Sequence, residues 1–259
     1  MKKLIISLTA LAGIIYYTAC SPKKPAVFEQ ATGVYLNTAS DSLIYSFAKY
    51  PHRTIDTLRI PVKLLGDAAT TDRTINIQLA NEPNLTAIEG VHFKLLPPFI
   101  MPAGQFATTI PIVIYRTKDL DSTPVTFKLQ LQANEDFEIG IPKKTTCLVK
   151  LGYLQKPASW GETGGSQYAG FSGNYGTWTK TKYKLILDAL YDPVYDTTVS
   201  DFPYLRTGFP LVYNQYMQIV KNYIRTNYPG NISTPVGVGA MLLDPDAGNK
   251  PVQVGPSNY

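Results

Sequence analysis

The sequence contains little cysteine, histidine or charge, and these shortages limit what the protein can be. Of its 259 residues, two are Cys, two are His and 17% are charged. Two cysteines cannot form a disulfide-dense scaffold, and no Cys-x-x-Cys or paired-His spacing indicates zinc. The hydrophobic fraction of 44% excludes a mainly disordered chain. We therefore expect a globular protein of one large or two modest domains, without a cofactor.

Motifs of catalysis are also missing. The Gly-x-Ser-x-Gly frame of a nucleophilic serine does not occur. His52 follows a proline in a turn and His92 lies in a Gly-bounded turn, so we interpret both as surface or turn-stabilising residues. Cys147 alternates inward with apolar neighbours, which favours a buried core thiol over a nucleophile. We expect a non-enzymatic protein with no catalytic residue.

The first twenty residues have the pattern of a signal peptide. Lys2 and Lys3 precede the apolar run 4–15, which is too short to span a bilayer comfortably, and small residues lead up to Cys20. The pattern resembles a bacterial lipobox, in which the cysteine thiol is lipidated and becomes the mature N-terminus. An ordinary secretory signal with an incidental cysteine is the alternative.

This interpretation predicts a location and a set of partners. Residues 1–19 would be removed, and residues 20–25 would form the lipidated cysteine and a spacer. Two or three acyl chains, palmitate among them, anchor a protein stably. The mature chain would carry 22 basic and 19 acidic residues, a net charge of about +3 that does not indicate nucleic-acid binding. We expect a lipid-anchored outer-membrane protein, on either face, with a glycan or envelope protein as its partner.

Residues 26–155 predict a β-sandwich. Apolar residues alternate with polar ones at a period of two, which buries one face of a strand. Turn clusters rich in Gly, Pro, Asn and Asp separate these rows, and no helical pattern intervenes, which favours an antiparallel sandwich. The rows start at Leu43, Tyr45 and Phe47 and continue over 58–64, 75–79, 110–114, 125–131 and 145–151.

Residues 156–259 predict a smaller, Tyr-rich domain that contains helices. Apolar residues at i, i+3, i+4 and i+7 favour a helix over 183–190, ended by Asp192-Pro193, although strand alternation competes there. A clearer helix covers about 211–227, and Pro229-Gly230 ends it. Its predicted packed face holds Val212, Tyr216, Ile219, Val220, Tyr223 and Ile224.

The segment 87–93, with the step 100–105 and the strand after it, resembles Calx-beta-type sandwich repeats. The whole layout resembles a family of Bacteroidota lipoproteins of unknown function. In that family such a domain precedes a Pro-x-x-Trp and Gly-x-Tyr region, here 157–160 and 173–182. Some members are encoded beside outer-membrane glycan-uptake systems, so the resemblance implies a context of nutrient or glycan capture.

Two segments resemble calcium sites without supplying enough oxygen atoms. His92 stands where Calx-beta domains place Asp, and only Glu135 and Asp136 remain of the acidic end. Two carboxylates are fewer than the six to eight oxygen ligands of Ca²⁺. The segment 244–249 has Asp-x-Asp-x-Gly spacing but lacks the later Glu, so we interpret it as a plain turn. We expect no metal.

Aromatic residues in loops are the candidates for ligand binding. Exposed aromatic rings stack on sugars or fill pockets in partner proteins. The alternative is that these rings pack helices against the sandwich with their hydroxyls toward water. The candidates are Tyr168, Tyr175, Trp178, Tyr191, Tyr195 and Tyr204.

Three functional hypotheses follow. The leading one is a lipid-anchored binding or structural accessory module linked to nutrient or glycan capture. The second is a periplasmic or surface glycan-acting hydrolase, built on carboxylates such as Asp188, Asp192 and Asp196. The third is a structural module of a larger outer-membrane assembly, which a large exposed apolar patch would favour.

Overall fold

The computed structural model describes residues 32–160, 175–201 and 211–255. The predicted signal peptide, Cys20 and the spacer that follows it lie outside the described residues, as do Tyr168 and Tyr204. Thr32–Tyr259 forms one compact unit. Among the described residues, no helix is long and apolar enough to cross a membrane.

Two five-stranded sheets form the β-sandwich. Their strands are β1 Gly33–Leu36, β2 Ser42–Ser46, β3 Ile55–Leu65, β4 Arg73–Leu79, β5 Phe93–Leu95, β6 Phe99–Met101, β7 Ala107–Tyr115, β8 Val125–Gln132, β9 Glu138–Ile139 and β10 Thr146–Gly152. The first sheet has the order β5-β7-β3-β1-β9 and the second the order β2-β10-β8-β4-β6. The fold class predicted from the alternating rows, mainly β with some α, is confirmed.

The rows of alternating residues face one shared core. Ile60 of β3, Ile112 of β7 and Leu129 of β8 are fully buried. Cys147 of β10 is buried among them, as predicted, and burial raises the pKa of its thiol to about 11. This core gives the sandwich the rigidity to position the loops at its ends.

The predicted antiparallel pairing is wrong for two strand pairs. Val34 of β1 pairs in parallel with Ile139 of β9, and Leu43 of β2 pairs in parallel with Val149 of β10. The N-terminal strand is split by a bend, so its first half joins one sheet and its second half the other. Side chains alternate in the same way in parallel and antiparallel strands, so the period of two does not reveal strand direction.

The chain after residue 155 adds helices and a short ribbon. Helix α1 spans Lys180–Ala189 and helix α2 spans Leu211–Asn227, which confirms both predicted helices. The ribbon pairs β11, Leu243–Asp244, with β12, Lys250–Pro251. The hydroxyl of Thr179 caps α1 by accepting the N–H of Lys182 at 3.2 Å.

The buried face of α2 is rotated about the helix axis, by roughly one residue position, from the face that the sequence predicted. Tyr213, Val220 and Ile224 are buried. Val212 and Ile219, which were predicted to pack, are 37% and 46% exposed. Apolar residues cover more than half of the helix circumference, so the sequence alone does not decide which of them face the core.

The C-terminal part packs against the sandwich. Trp160 contacts Tyr183 of α1 edge to face, with ring centroids 5.9 Å apart, and its Nε1 donates to the carbonyl of Gly176 at 3.0 Å. The amide of Thr198 donates to the carbonyl of Lys49 in the sandwich at 3.0 Å. The chain changes from strands to helices after residue 155. That the parts before and after this residue are separate domains stays a prediction.

Candidate functional site

One face of α1 carries charged side chains while the other faces enter the core. Lys180, Lys184 and Asp188 are spaced four residues apart and therefore lie along one stripe of the helix. Nζ of Lys184 lies 2.6 Å from Oδ2 of Asp188. Tyr183 and Ile186 are buried on the other side of the helix. The core contacts of α1 thus fix the direction of its charged stripe.

An aromatic cavity of about 350 Å³ lies on one side of this stripe. Tyr223 of α2 and Tyr228, just after it, bring their ring centroids to 6.4 Å from each other, with planes inclined by 57°. Both tyrosines are half-buried, and burial raises the pKa of Tyr223. The cavity is lined by Asp121, Leu154, Lys180, Thr181, Lys184, Leu185, Asp188, Tyr223, Tyr228 and Leu242.

A cationic cavity of about 450 Å³ lies on the other side of the stripe. The guanidinium carbon of Arg116 lies 4.6 Å from the ring centroid of Tyr153, and Nη1 of Arg116 donates to the carbonyl of Pro51. These two contacts hold the guanidinium in place. The cavity is lined by Pro51, His52, Thr54, Arg116, Thr117, Lys118, Asp121, Tyr153, Lys184 and Asp188.

The two cavities share Asp121, Lys184 and Asp188, and together we name them the α1 groove. Burial is the largest single influence on the pKa of Lys184 and lowers it, but the hydrogen bond to Asp188 and the charge attraction of Asp188 and nearby tyrosines together outweigh burial and raise that pKa. The side chain of Lys184 stays 52% exposed, so the ion pair faces the solvent of the groove. The groove therefore presents both a donor and an acceptor at its centre.

The predicted aromatic residues that the structure describes do not form one platform. Trp178 precedes α1 and Tyr191 follows it, so the length of the helix, about 15 Å, separates them. Trp178 is half-buried and lines a third cavity, of about 600 Å³, with Lys180, Asp246 and Lys250 among its neighbours.

The other predicted aromatics have different surroundings. Tyr175 is fully buried, 6.3 Å between ring centroids from Trp160, and burial raises the pKa of its phenol. The expected exposure of its ring is therefore wrong, and a role of Tyr175 in ligand binding stays a prediction. Tyr191 contacts the ring of His52 at 4.1 Å between centroids. Tyr195, at the tip of a turn, is 74% exposed.

The three carboxylates of the hydrolase hypothesis each have a separate partner. Asp188 pairs with Lys184 at 2.6 Å. Oδ1 of Asp192 accepts the backbone N–H of Val194 at 2.8 Å and so stabilises a turn. Oδ2 of Asp196 accepts Nε–H of Arg53 at 2.5 Å. Their described contacts are those of turns and ion pairs.

His92 stabilises its turn, as predicted for that residue. Its Nδ1 accepts the N–H of Ile88 at 2.8 Å, and its Nε2 lies 2.9 Å from Oδ2 of Asp119. Because Nδ1 accepts a hydrogen bond, Nε2 carries the proton and donates to Asp119. His52 is exposed at the surface.

The segment 244–249 is a turn whose first carboxylate already has protein partners. Oδ2 of the buried Asp244 accepts the Thr179 hydroxyl at 2.5 Å, and its Oδ1 accepts the N–H of Asp246 at 3.1 Å. Gly248 takes a left-handed conformation with φ of 66°. In the described part of the chain, no three His, Cys, Asp or Glu residues form a group that could hold a metal ion.

The α1 groove itself was not predicted from the sequence. The four-residue spacing of Lys180, Lys184 and Asp188 is a detectable signal, since it places three charges on one face of a predicted helix. Arg116 belongs to a loop that follows β7, and only the folded chain brings it to the same groove. Tyr223 was predicted to pack in the core, and it is only half-buried.

The fold and the groove define a β-sandwich protein with an added helical layer and an open cleft between them. Residues 23–191 match the model of a family described as "Domain of unknown function (DUF4843)". This match covers more than half of the chain, and the chain belongs to that family. No curated protein matches the sequence.

Several solved structures from Bacteroides show limited similarity to this chain. One from Bacteroides ovatus, named as a candidate carbohydrate-binding protein, has 12% identity and a TM-score of 0.34, with 46% of this chain and 36% of that chain covered. A Bacteroides ovatus protein of unknown function has 15% identity and a TM-score of 0.37, with 51% and 48% covered. The matched region thus covers less than half of each Bacteroides protein, and neither similarity assigns a ligand to this chain.

Proposed function

We propose that this protein is a lipid-anchored envelope module that binds a carbohydrate in the α1 groove without cleaving it. The observation that carries the proposal is the pair of half-buried rings, Tyr223 and Tyr228, beside the solvent-facing ion pair of Lys184 and Asp188. A sugar ring has an apolar face of C–H groups and an edge of hydroxyls. Aromatic rings contact that face, while charged groups bind hydroxyls as donors and acceptors.

The size of the groove agrees with this ligand class. Its two cavities measure about 350 and 450 Å³, and both fall within the usual range of small-molecule sites. Half-buried tyrosines lose little conformational freedom on binding because only two torsions are fixed. Leu154 and Leu185, which line the aromatic cavity, are buried, so core packing holds this wall of the groove in place before a ligand binds.

Glycan-array binding tests the carbohydrate site, followed by titration calorimetry on any glycan that binds. Tyr223→Ala removes one ring and should weaken binding about tenfold, as the loss of an interface aromatic commonly does. Tyr195→Ala is the matched control, because its ring is 74% exposed and lies outside the groove. Equal affinities of the two variants would place the ligand elsewhere, with the cavity beside Trp178 the next site to test.

The same glycan tests the absence of catalysis. After long incubation with the protein, chromatography should recover the bound oligosaccharide intact. Shortened products that disappear with Asp188→Asn would favour the hydrolase hypothesis instead.

The anchor is the second part of the proposal. Its support is the basic and apolar pattern before Cys20 and the resemblance to Calx-beta-containing Bacteroidota lipoproteins. Mass spectrometry of the protein from its native membrane should show an acylated Cys20 as the first residue. An unmodified cysteine, or cleavage at another position, would contradict the anchor and leave the groove proposal unaffected.

A further inference from the structure

We infer that the α1 groove selects acidic oligosaccharides, chains that carry carboxylate or sulfate groups, over neutral ones. The inference rests on the proposed function and names the ligand class of the same site. Three cations line the groove without an ion-pair partner among the described residues: Arg116, Lys118 and Lys180. The charges of Lys184 and Asp188 balance each other, and Asp121 is the one further carboxylate among the described lining residues, so these residues give the groove a net positive charge.

Arg116 is the best-placed anion-binding group in the groove. Its guanidinium is held between the ring of Tyr153 and the carbonyl of Pro51, and the side chain remains partly exposed to the cavity. A planar guanidinium binds carboxylate and sulfate oxygens through two parallel hydrogen bonds. Because Arg116 is already ordered, little conformational entropy is lost when an anion binds.

Lys118 and Lys180 extend the positive charge to both sides of the stripe. Lys118 is exposed in the cationic cavity. Lys180 lies in the aromatic cavity and donates to the hydroxyl of Ser122 at 3.2 Å, which leaves two of its three ammonium protons for a ligand. Asp119, on the same turn as Lys118, is occupied by the imidazole of His92 at 2.9 Å.

The groove is long enough for more than one sugar. Lys180 and Asp188 are two helical turns apart, about 12 Å along α1. Tyr223 and Tyr228 line the cavity on one side of this stripe, and Arg116 lines the cavity on the other side. A chain bound across the stripe would stack one ring on the tyrosines and place an acidic group near Arg116. This arrangement requires an anion attached to a carbohydrate rather than a free anion.

Calorimetry with two matched pairs of oligosaccharides tests the inference on the full mature chain. One pair is oligogalacturonate and its methyl ester, and the other is a sulfated oligosaccharide and its desulfated form. We expect the acidic member of at least one pair to bind about tenfold more tightly, with affinity that falls as salt screens the charges. The pair that shows the difference identifies carboxylate or sulfate as the recognised group.

A charge-matched double variant locates the effect. Arg116→Gln with Lys118→Gln should remove the preference, so that the acidic and the neutral member then bind with similar affinity. Lys63→Gln with Lys94→Gln removes the same charge from exposed residues outside the groove and should change neither affinity. Melting temperatures of all variants show whether each is folded.

The outcomes separate the inference from the proposed function. Equal binding of acidic and neutral chains would overturn the selectivity while the carbohydrate site remains. Equal effects of the two double variants would mean general charge attraction and would also overturn it. Failure of every oligosaccharide to bind would overturn both proposals.

Discussion

The rings of Phe93 and Phe127 stack across the core, with centroids 4.0 Å apart and planes inclined by 13°. Phe93 belongs to β5 in the first sheet and Phe127 to β8 in the second, and both are buried. The contact therefore joins the two layers of the sandwich near the loops that carry His92 and Asp119. Its loss would weaken the packing between the sheets as well as the burial of one ring.

We predict that Phe127→Ala lowers the free energy of unfolding by about 3–5 kcal/mol, because it removes a buried ring and leaves a cavity. Phe127→Leu should cost less, since more of the volume is retained. Phe106→Ala makes the same change at a side chain that is 58% exposed and should cost under about 0.5 kcal/mol. Urea unfolding followed by tyrosine and tryptophan fluorescence measures all three, and equal losses at positions 127 and 106 would contradict the packing.

Lys182 gives the stability of the protein a pH dependence. Its side chain is buried on α1, its Nζ donates to the carbonyl of Thr177 at 3.1 Å, and burial lowers its pKa to about 8, against the opposing attraction of Asp244. A lysine with a lowered folded-state pKa penalises folding below that pKa. The penalty decreases as the pH rises from the folded-state pKa toward the unfolded-state pKa, because in this range the unfolded chain binds more protons than the folded chain.

The matched variant Lys182→Met lacks this titration. The stability of the variant relative to the wild type should therefore fall by roughly 1 kcal/mol per pH unit between pH 8 and 10. Lys184→Met is the control on the same helix, because the pKa of Lys184 is raised and the residue stays charged over this range. Urea unfolding at several pH values measures the differences, and a difference for Lys182→Met that does not vary with pH would contradict the buried ammonium.

Cys147 should resist thiol reagents in the folded protein. Its side chain is fully buried, so a reagent cannot easily reach the sulfur, and its pKa is raised to about 11, so little of the thiol is ionised at pH 8. The test uses a variant that starts after Cys20, so that Cys147 is its remaining thiol. An aromatic disulfide reagent should label less than about a tenth of Cys147 in the folded protein and all of it in urea. Rapid native labelling that is lost in Cys147→Ser would show that β10 opens readily.

Calcium should not stabilise the protein. Asp244 already accepts hydrogen bonds from Thr179 and Asp246, and Asp136 accepts the N–H of Thr74 at 2.7 Å. Oxygen atoms that are engaged in this way are poor ligands, since a cation must displace their partners. Differential scanning fluorimetry with millimolar calcium should leave the melting temperature within about 1 °C, and a rise of several degrees that Asp246→Asn abolishes would reveal a site.

The sequence predicts the long strands and both helices because each buries one regular face. The rows at 58–64 and 125–131 become β3 and β8, and the helix at 211–227 ends where Pro229-Gly230 requires. The short strands β5, β6 and β9 have two or three residues, which is too few for a recognisable period. Their existence depends on neighbours such as β7, which no local pattern encodes.

The candidate site was harder to predict than the fold. Tyr175 and Trp178 belong to one segment, yet Tyr175 is buried with its ring centroid 6.3 Å from that of Trp160, while Trp178 stays partly exposed. The α1 groove combines residues from the loop after β7, from α1 and from α2. Sequence spacing finds the stripe on α1, but the assembly of the other two walls depends on tertiary packing.

The parallel pairs at the start of the sandwich determine the order in which the newly made chain can fold. Ser42 of β2 pairs with Leu148 of β10, which the ribosome adds about 100 residues later, and β1 likewise awaits β9. At the usual rate of synthesis this is a delay of roughly 5–20 s. During that time β2 lacks the strand it pairs with and β1 can pair with β3 alone, so the sandwich closes only late in synthesis. A chain that stalls before β10 would therefore expose the apolar faces of both sheets to proteases and chaperones.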